Sequence, residues 1–177
     1  MKKNIILFFL IFYFACSPKI EIKSNPNYIV PAEVNYRKYF KSNFNSLEPL
    51  EGIWTEYVVG TLYDDGKVIE RKEIAKRARW IVIKKGSYYN ILNEYGEQNK
   101  YEASFKLNRT KNSYIFDCLF IKTKDHIKVE AKLIDEKTIE MAYNAPKGVF
   151  KESYREFMLT DLVDGDQKEL ELFWQFS

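Results

Sequence analysis

The chain has 177 residues, the size of one domain with room for an appendage. Hydrophobic residues at 46% and charged residues at 30% are the mix of a folded globular protein and exclude a disordered tail. With 28 Lys and Arg against 25 Asp and Glu the formal charge is +3, and setting aside Lys2 and Lys3 leaves +1, too even a balance for an electrostatic nucleic-acid binder. Aromatic residues at 16% favour β-structure around a filled interior.

Lys2 and Lys3 precede an uncharged run from Ile5 to Ala15. A membrane-crossing helix needs about 20 apolar residues, whereas a signal peptide core needs roughly 7–15, so residues 1–15 read as a signal peptide. The run ends at Ala15-Cys16, followed by Ser17-Pro18. This resembles the lipobox of bacterial lipoproteins, with Tyr13 and Phe14 standing where leucine and a small residue are usual. The resemblance implies that Cys16 becomes the N-terminus and carries diacylglycerol plus an amide-linked acyl chain such as palmitate. The protein would then be anchored to a membrane of the bacterial cell envelope, expected to be the outer membrane. An ordinary secretory signal with a coincidental cysteine is the alternative. Cys118, the other cysteine, lies in the apolar segment Tyr114–Phe120 and reads as a buried free thiol rather than a nucleophile.

Residues 16–33 form the expected tether, rich in Lys, Asn, Pro and Ser and without periodicity. The domain follows at 34–177. Around Ala32–Leu47, Tyr36, Tyr39, Phe40, Phe44 and Leu47 recur at helical spacing, which predicts a short amphipathic helix stopped by Pro49 and packed as a plug against the body, with a membrane-surface helix as the alternative.

From Ile53 onward the period is two. Tyr101, Ala103, Phe105 and Leu107 share one face; Ile127, Val129, Ala131 and Leu133 share another, as do Ile139, Met141 and Tyr143, and Leu170, Leu172, Trp174 and Phe176. Strands are predicted near 53–60, 67–73, 78–84, 88–93, 101–108, 113–122, 127–134, 137–143 and 168–176. Turn signals separate them at Asp65-Gly66, Lys85-Gly86, Arg109–Asn112, Lys124–His126 and Asp135–Lys137. Between Asn144 and Leu159, Phe150, Tyr154, Phe157 and Met158 suggest a short helix or irregular cover. Eight to nine strands joined by short turns make an all-β, antiparallel up-and-down sheet of a size that closes into a barrel.

The segment Leu47-Glu48-Pro49-Leu50-Glu51-Gly52-Ile53-Trp54 resembles the opening of the lipocalin-like, or calycin-type, barrel of bacterial lipoproteins, with the Gly52-x-Trp54 spacing of the lipocalin first strand and a short helix before it. The resemblance covers roughly residues 47–177. It implies that Gly52 lets the chain approach the barrel floor and that Trp54 caps this floor from inside, near Trp174. The mid-barrel Thr-Asp-Tyr-like motif has no counterpart, since Thr160-Asp161-Leu162 comes too late, and residues 168–176 lack the arginine of the lipocalin closing strand. The resemblance therefore supports the barrel more than a transport function.

Catalytic patterns are missing. The single histidine, His126, sits in a polar turn, and no zinc pair, catalytic triad, P-loop or dinucleotide fingerprint occurs. We expect no enzymatic activity, no cofactor and no metal. Glu56 is the one acidic residue of interest: if Trp54 points inward, strict alternation points Glu56 inward too. Otherwise it turns outward, or pairs with Arg77 or Arg79. The inward aromatics Tyr101, Phe105, Tyr114, Phe116 and Phe120 are the expected lining for a small, largely apolar ligand. The alternative is a filled barrel in a protein-interaction or structural lipoprotein. Cys16→Ser is expected to leave the membrane fraction or remain unprocessed, read by fractionation and intact mass. Unchanged partition and mass would remove the lipoprotein reading.

Overall fold

A computed structural model describes residues 30–98, 100–121, 124, 126–145 and 169–177. Helix α1 (Pro31–Ser42) is followed by β1 (Gly52–Asp64), β2 (Lys67–Ile74), β3 (Arg79–Lys85), β4 (Tyr88–Asn93), β5 (Tyr101–Leu107), β6 (Ser113–Phe120), β7 (His126–Asp135), β8 (Thr138–Ala145) and β9 (Glu169–Phe176). Every pairing is antiparallel; the strands follow chain order from β3 to β9, and β9 returns to β1 with Glu56 opposite Phe176 and Tyr63 opposite Glu169. Eight strands thus close into a barrel, and β2 is an additional strand beside the far half of β1. The expected all-β barrel with a short N-terminal helix is the fold of the protein. The region suggested to hold a second helix (144–159) lies mostly outside the described residues, as do Cys16, the signal segment and most of the tether.

Local chemistry accounts for the turns. Asp65 and Gly66 both adopt positive φ, 47° and 74°, which suits a two-residue hairpin between Asp64 and Lys67. Strands β2 and β3 are successive lengths of one hairpin arm facing β1. Val58 pairs with Ile74 and Thr55 with Arg79, so three steps along β1 face five along the arm. The two surplus residues form a bulge over 75–78, with Lys76 at φ 53°. Glu56 bridges it with both backbone groups: its N–H donates to the Ala78 carbonyl (2.8 Å), and its carbonyl accepts from Arg77 N–H (2.9 Å).

The interior follows the period-two pattern. Trp54, Val58, Leu62, Ala103, Phe105, Phe116, Ile127, Met141, Leu172 and Trp174 are buried in one cluster. Leu107 shares the parity of Phe105 but stands at the end of its strand, 68% exposed. At the end where β1 begins, fully buried Leu50 enters the core, and Trp54 Nε1 donates to the Leu50 carbonyl at 2.9 Å. Across this end Glu51 accepts from Lys84 N–H (3.0 Å) and Glu48 accepts from Lys84 Nζ (2.6 Å). A Cβ on Gly52 would meet only Trp54 Nε1, at an ordinary 3.5 Å, so close approach to the floor does not by itself require glycine there.

The helix differs from its sequence pattern. It ends at Ser42, well before Pro49, because both the backbone N–H and the side-chain amide of Asn43 bond the Tyr39 carbonyl and close the last turn. Tyr39 and Phe44 are exposed, the latter by 78%, and the one buried helical residue is Glu33. Glu33 meets Arg37 at 2.6 Å and Arg79 of β3 at 3.2 Å. The helix is therefore tied by charge to β3 rather than inserted as an aromatic plug; the aromatic repeat followed helical spacing, but its residues were not all needed for burial. Trp54→Ala is expected to cost about 3–5 kcal/mol in urea unfolding, as for a large aromatic lost from a core. Trp54→Phe is expected to cost about 1–3 kcal/mol, because it strands the buried Leu50 carbonyl.

Candidate functional site

The two halves of the interior are filled differently. Towards the closed end Phe105, 1% exposed, packs its ring 5.5 Å from Phe116 and 6.4 Å from Phe176, while Tyr114 meets Tyr89 edge-on at 6.0 Å. Further along the barrel a cavity of about 50 Å³ remains. Of the five aromatics expected to line a ligand space, Tyr101, Phe116 and Phe120 reach this cavity, whereas Phe105 and Tyr114 do not. Trp174 also lines it. Its partners Val58 and Met141 place it above the closed end, so it is a wall residue and only Trp54 belongs to the floor.

The polar pole of the cavity is Glu56. Alternation from Trp54 turns its side chain inward, where it is 2% exposed. Arg77 Nη2 donates to Oε1 at 2.7 Å, and Trp80 Nε1 donates to Oε2 at 2.9 Å. Both donors depend on the bulge, which sets Arg77 beside Glu56 and restores alternation so that Trp80 points inward. A carboxylate buried with a guanidinium and an indole N–H is neutralised and still has lone pairs for another donor. Arg77 was one of two cations that the sequence offered for Glu56. Trp80 was not singled out, although its alternation with Val82 carried the signal.

Outside the wall lies a cleft of about 290 Å³ that shares Arg77, Trp80 and Tyr101 with the inner cavity and adds Arg79, Glu94 and Lys100. His126 stands apart from both spaces, at the start of β7, exposed and 2.6 Å from Asp117 Oδ1. Among the described residues no group of three or more His, Cys, Asp or Glu could hold a metal, and no helix is long and apolar enough to cross a membrane.

These features define a closed antiparallel β-barrel with an apolar inner cavity and one buried ion pair at its pole. In comparison with known proteins, no family model, curated protein or solved structure matches the chain.

Cys118 also lines the cavity, and its thiol is pushed up to about 12, mainly by burial and then by the Asp117 and Glu56 carboxylates. Above about 9 the unfolded chain sheds a proton that the folded chain keeps until about 12. Stability from this group is therefore full below pH 9 and declines as pH rises towards 12. Burial raises Tyr89 and Tyr114 as well, adding loss of the same sign. Urea titrations at pH 8 and 11 are expected to show the decline, and Cys118→Ala to lessen it. Iodoacetamide at pH 8.5 is expected to leave folded Cys118 unmodified, by peptide mass mapping.

Proposed function

We propose that the protein is a lipid-anchored envelope lipoprotein, held through Cys16, whose calycin-like barrel binds a small, largely apolar molecule. It is a binding protein rather than an enzyme. The observation that carries this reading is the uneven interior. The closed half is filled by Phe105, Tyr114 and Trp54, while the other half keeps a cavity walled by aromatic and aliphatic side chains around a single polar pole. Apolar walls with a few placed polar groups are the usual composition of a small-molecule site. The short helix before Gly52-Ile53-Trp54 and the up-and-down connectivity support the calycin likeness.

A second reading rests on size. Small-molecule pockets usually measure about 300–1,000 Å³, and the inner cavity is about 50 Å³. A filled barrel would act through its surface, and β2 offers one: it pairs with β1 alone among the described residues, with Val68 and Ile69 57% and 46% exposed. Native mass spectrometry with a panel of fatty acids and hydrophobic dyes separates the two. Ligand binding predicts an adduct on wild type that falls about tenfold in Cys118→Leu, which fills the cavity, with circular dichroism unchanged. No adduct on wild type, or equal binding by the folded variant, favours the surface reading.

A further inference from the structure

Val58 and Leu62 of β1 enter the core, so Val59 and Thr61 face outward by alternation, yet both are buried, Thr61 to 7% exposure. Long side chains of the neighbouring strands surround them. On one flank β2 sets Glu73 opposite Val59 and Arg71 opposite Thr61; on the other, β9 sets Phe173 opposite Val59 and Glu171 opposite Thr61. Short side chains ringed by long ones leave a hollow of about 250 Å³ on the outside of the barrel, lined by Val59, Thr61, Tyr63, Arg71, Glu171 and Phe173. It shares no residue with the inner cavity or the cleft. Its rim is held in place. Tyr63 Oη donates to Glu171 Oε2 at 2.7 Å and closes one end, while Arg71 donates to Glu73 Oε1 from Nε (3.3 Å) and Nη2 (3.2 Å). These bonds leave Glu171 Oε1 and the remaining guanidinium N–H groups of Arg71 for a guest. On the floor, the Thr61 hydroxyl has no hydrogen-bond partner among the described residues. A polar side chain buried to this extent ordinarily has one, and a bound molecule would supply it.

We propose that this hollow binds a neutral sugar ring, free or as one residue of a glycan. The inference does not depend on what the barrel interior holds. Ring size follows from volume: a cavity of roughly 150 Å³ accepts benzene, so about 250 Å³ takes one six-membered ring with its substituents. Neutrality follows from the facing walls, which carry opposite charges on either side of Thr61. An anion drawn to Arg71 meets Glu171 and Glu73, and an ammonium drawn to Glu171 meets Arg71. A hydroxyl both donates and accepts, so the hydroxyls of one ring serve all three groups, donating to Glu171 Oε1, accepting from Arg71 and doing either with Thr61. The rings of Tyr63 and Phe173 offer apolar contact to the C–H edges between those hydroxyls. A small zwitterion such as alanine satisfies the two charges but leaves these aromatic flanks uncovered.

The test titrates the mature full chain with the methyl glycosides of glucose, galactose, mannose and N-acetylglucosamine, and with glucuronate, cationic glucosamine and alanine, following amide signals by NMR. At least one methyl glycoside is expected to shift the signals of Thr61, Arg71 and Glu171 with a Kd of about 1 mM, while Ala103 and Met141 of the interior stay unmoved. The two ions and alanine are expected to bind at least about tenfold more weakly. Thr61→Val keeps the β-branched shape without the hydroxyl and is expected to weaken glycoside binding about fivefold, the loss of one hydrogen bond. Arg71→Met, at an exposed position, is expected to weaken it by a similar factor. Tighter binding of an oligosaccharide of the preferred sugar assigns the site to a glycan, and equal or weaker binding assigns it to a free sugar. No shift at these residues at about ten times that concentration, an ion or alanine binding as tightly as the best glycoside, or unchanged affinity in both folded variants overturns the site. The fatty-acid and dye panel reads the interior separately, so either site stands or falls without the other.

Discussion

A carboxylate inside an apolar barrel must find a cation and a second donor, and the structure around Glu56 is organised by that demand. The bulge at 75–78 brings Arg77 alongside it, and the two surplus residues restore the inward parity of Trp80. Without Arg77 the buried Glu56 carboxylate would be left to the Trp80 N–H, and a charge stranded in this way costs about 3–5 kcal/mol. An ordinary hairpin would leave β3 without the same offset from β2, and with it the side chains that separate cavity from cleft. Packing, strand register and the polar pole are consequences of one local irregularity.

Much of the barrel was legible because strict alternation leaves little choice about which side chains face inward. The meander 101–145 combines such alternation with short turns, and its strands fall within two residues of where the pattern places them at either end. The helix was less legible. Helical spacing identifies a stripe but not what covers it, and here an ion pair between Glu33 and Arg79 supplies the attachment that the aromatics suggested. A salt bridge between a helix and a strand has no periodic signature.

The site was legible only by halves. Inward parity identified Tyr101, Phe116 and Phe120 but could not rank their heights, so Phe105 and Tyr114, which pack the closed half, looked equivalent to them. Height depends on register, and register depends on the bulge. The same ambiguity put Trp174 at the floor. The cleft was beyond reach for another reason: it forms where ladders stop, and stopping points are set by the path of the connecting turn rather than by strand residues.

The union of β1 with β9 has a consequence for assembly. These strands come from opposite ends of the domain, yet β1 carries the Gly-x-Trp opening, the floor indole, the polar pole and the hairpin with β2. Until β9 arrives, the edges of β1 and β8 that it joins are unsatisfied, and unpaired edges are templates for association with other chains. Contacts so distant in sequence also slow folding, since the loop between them must be closed before they contribute. The Glu169–Phe176 segment is thus the keystone of the ring: a chain cut just before it would retain all the other described strands and still lack a closed interior.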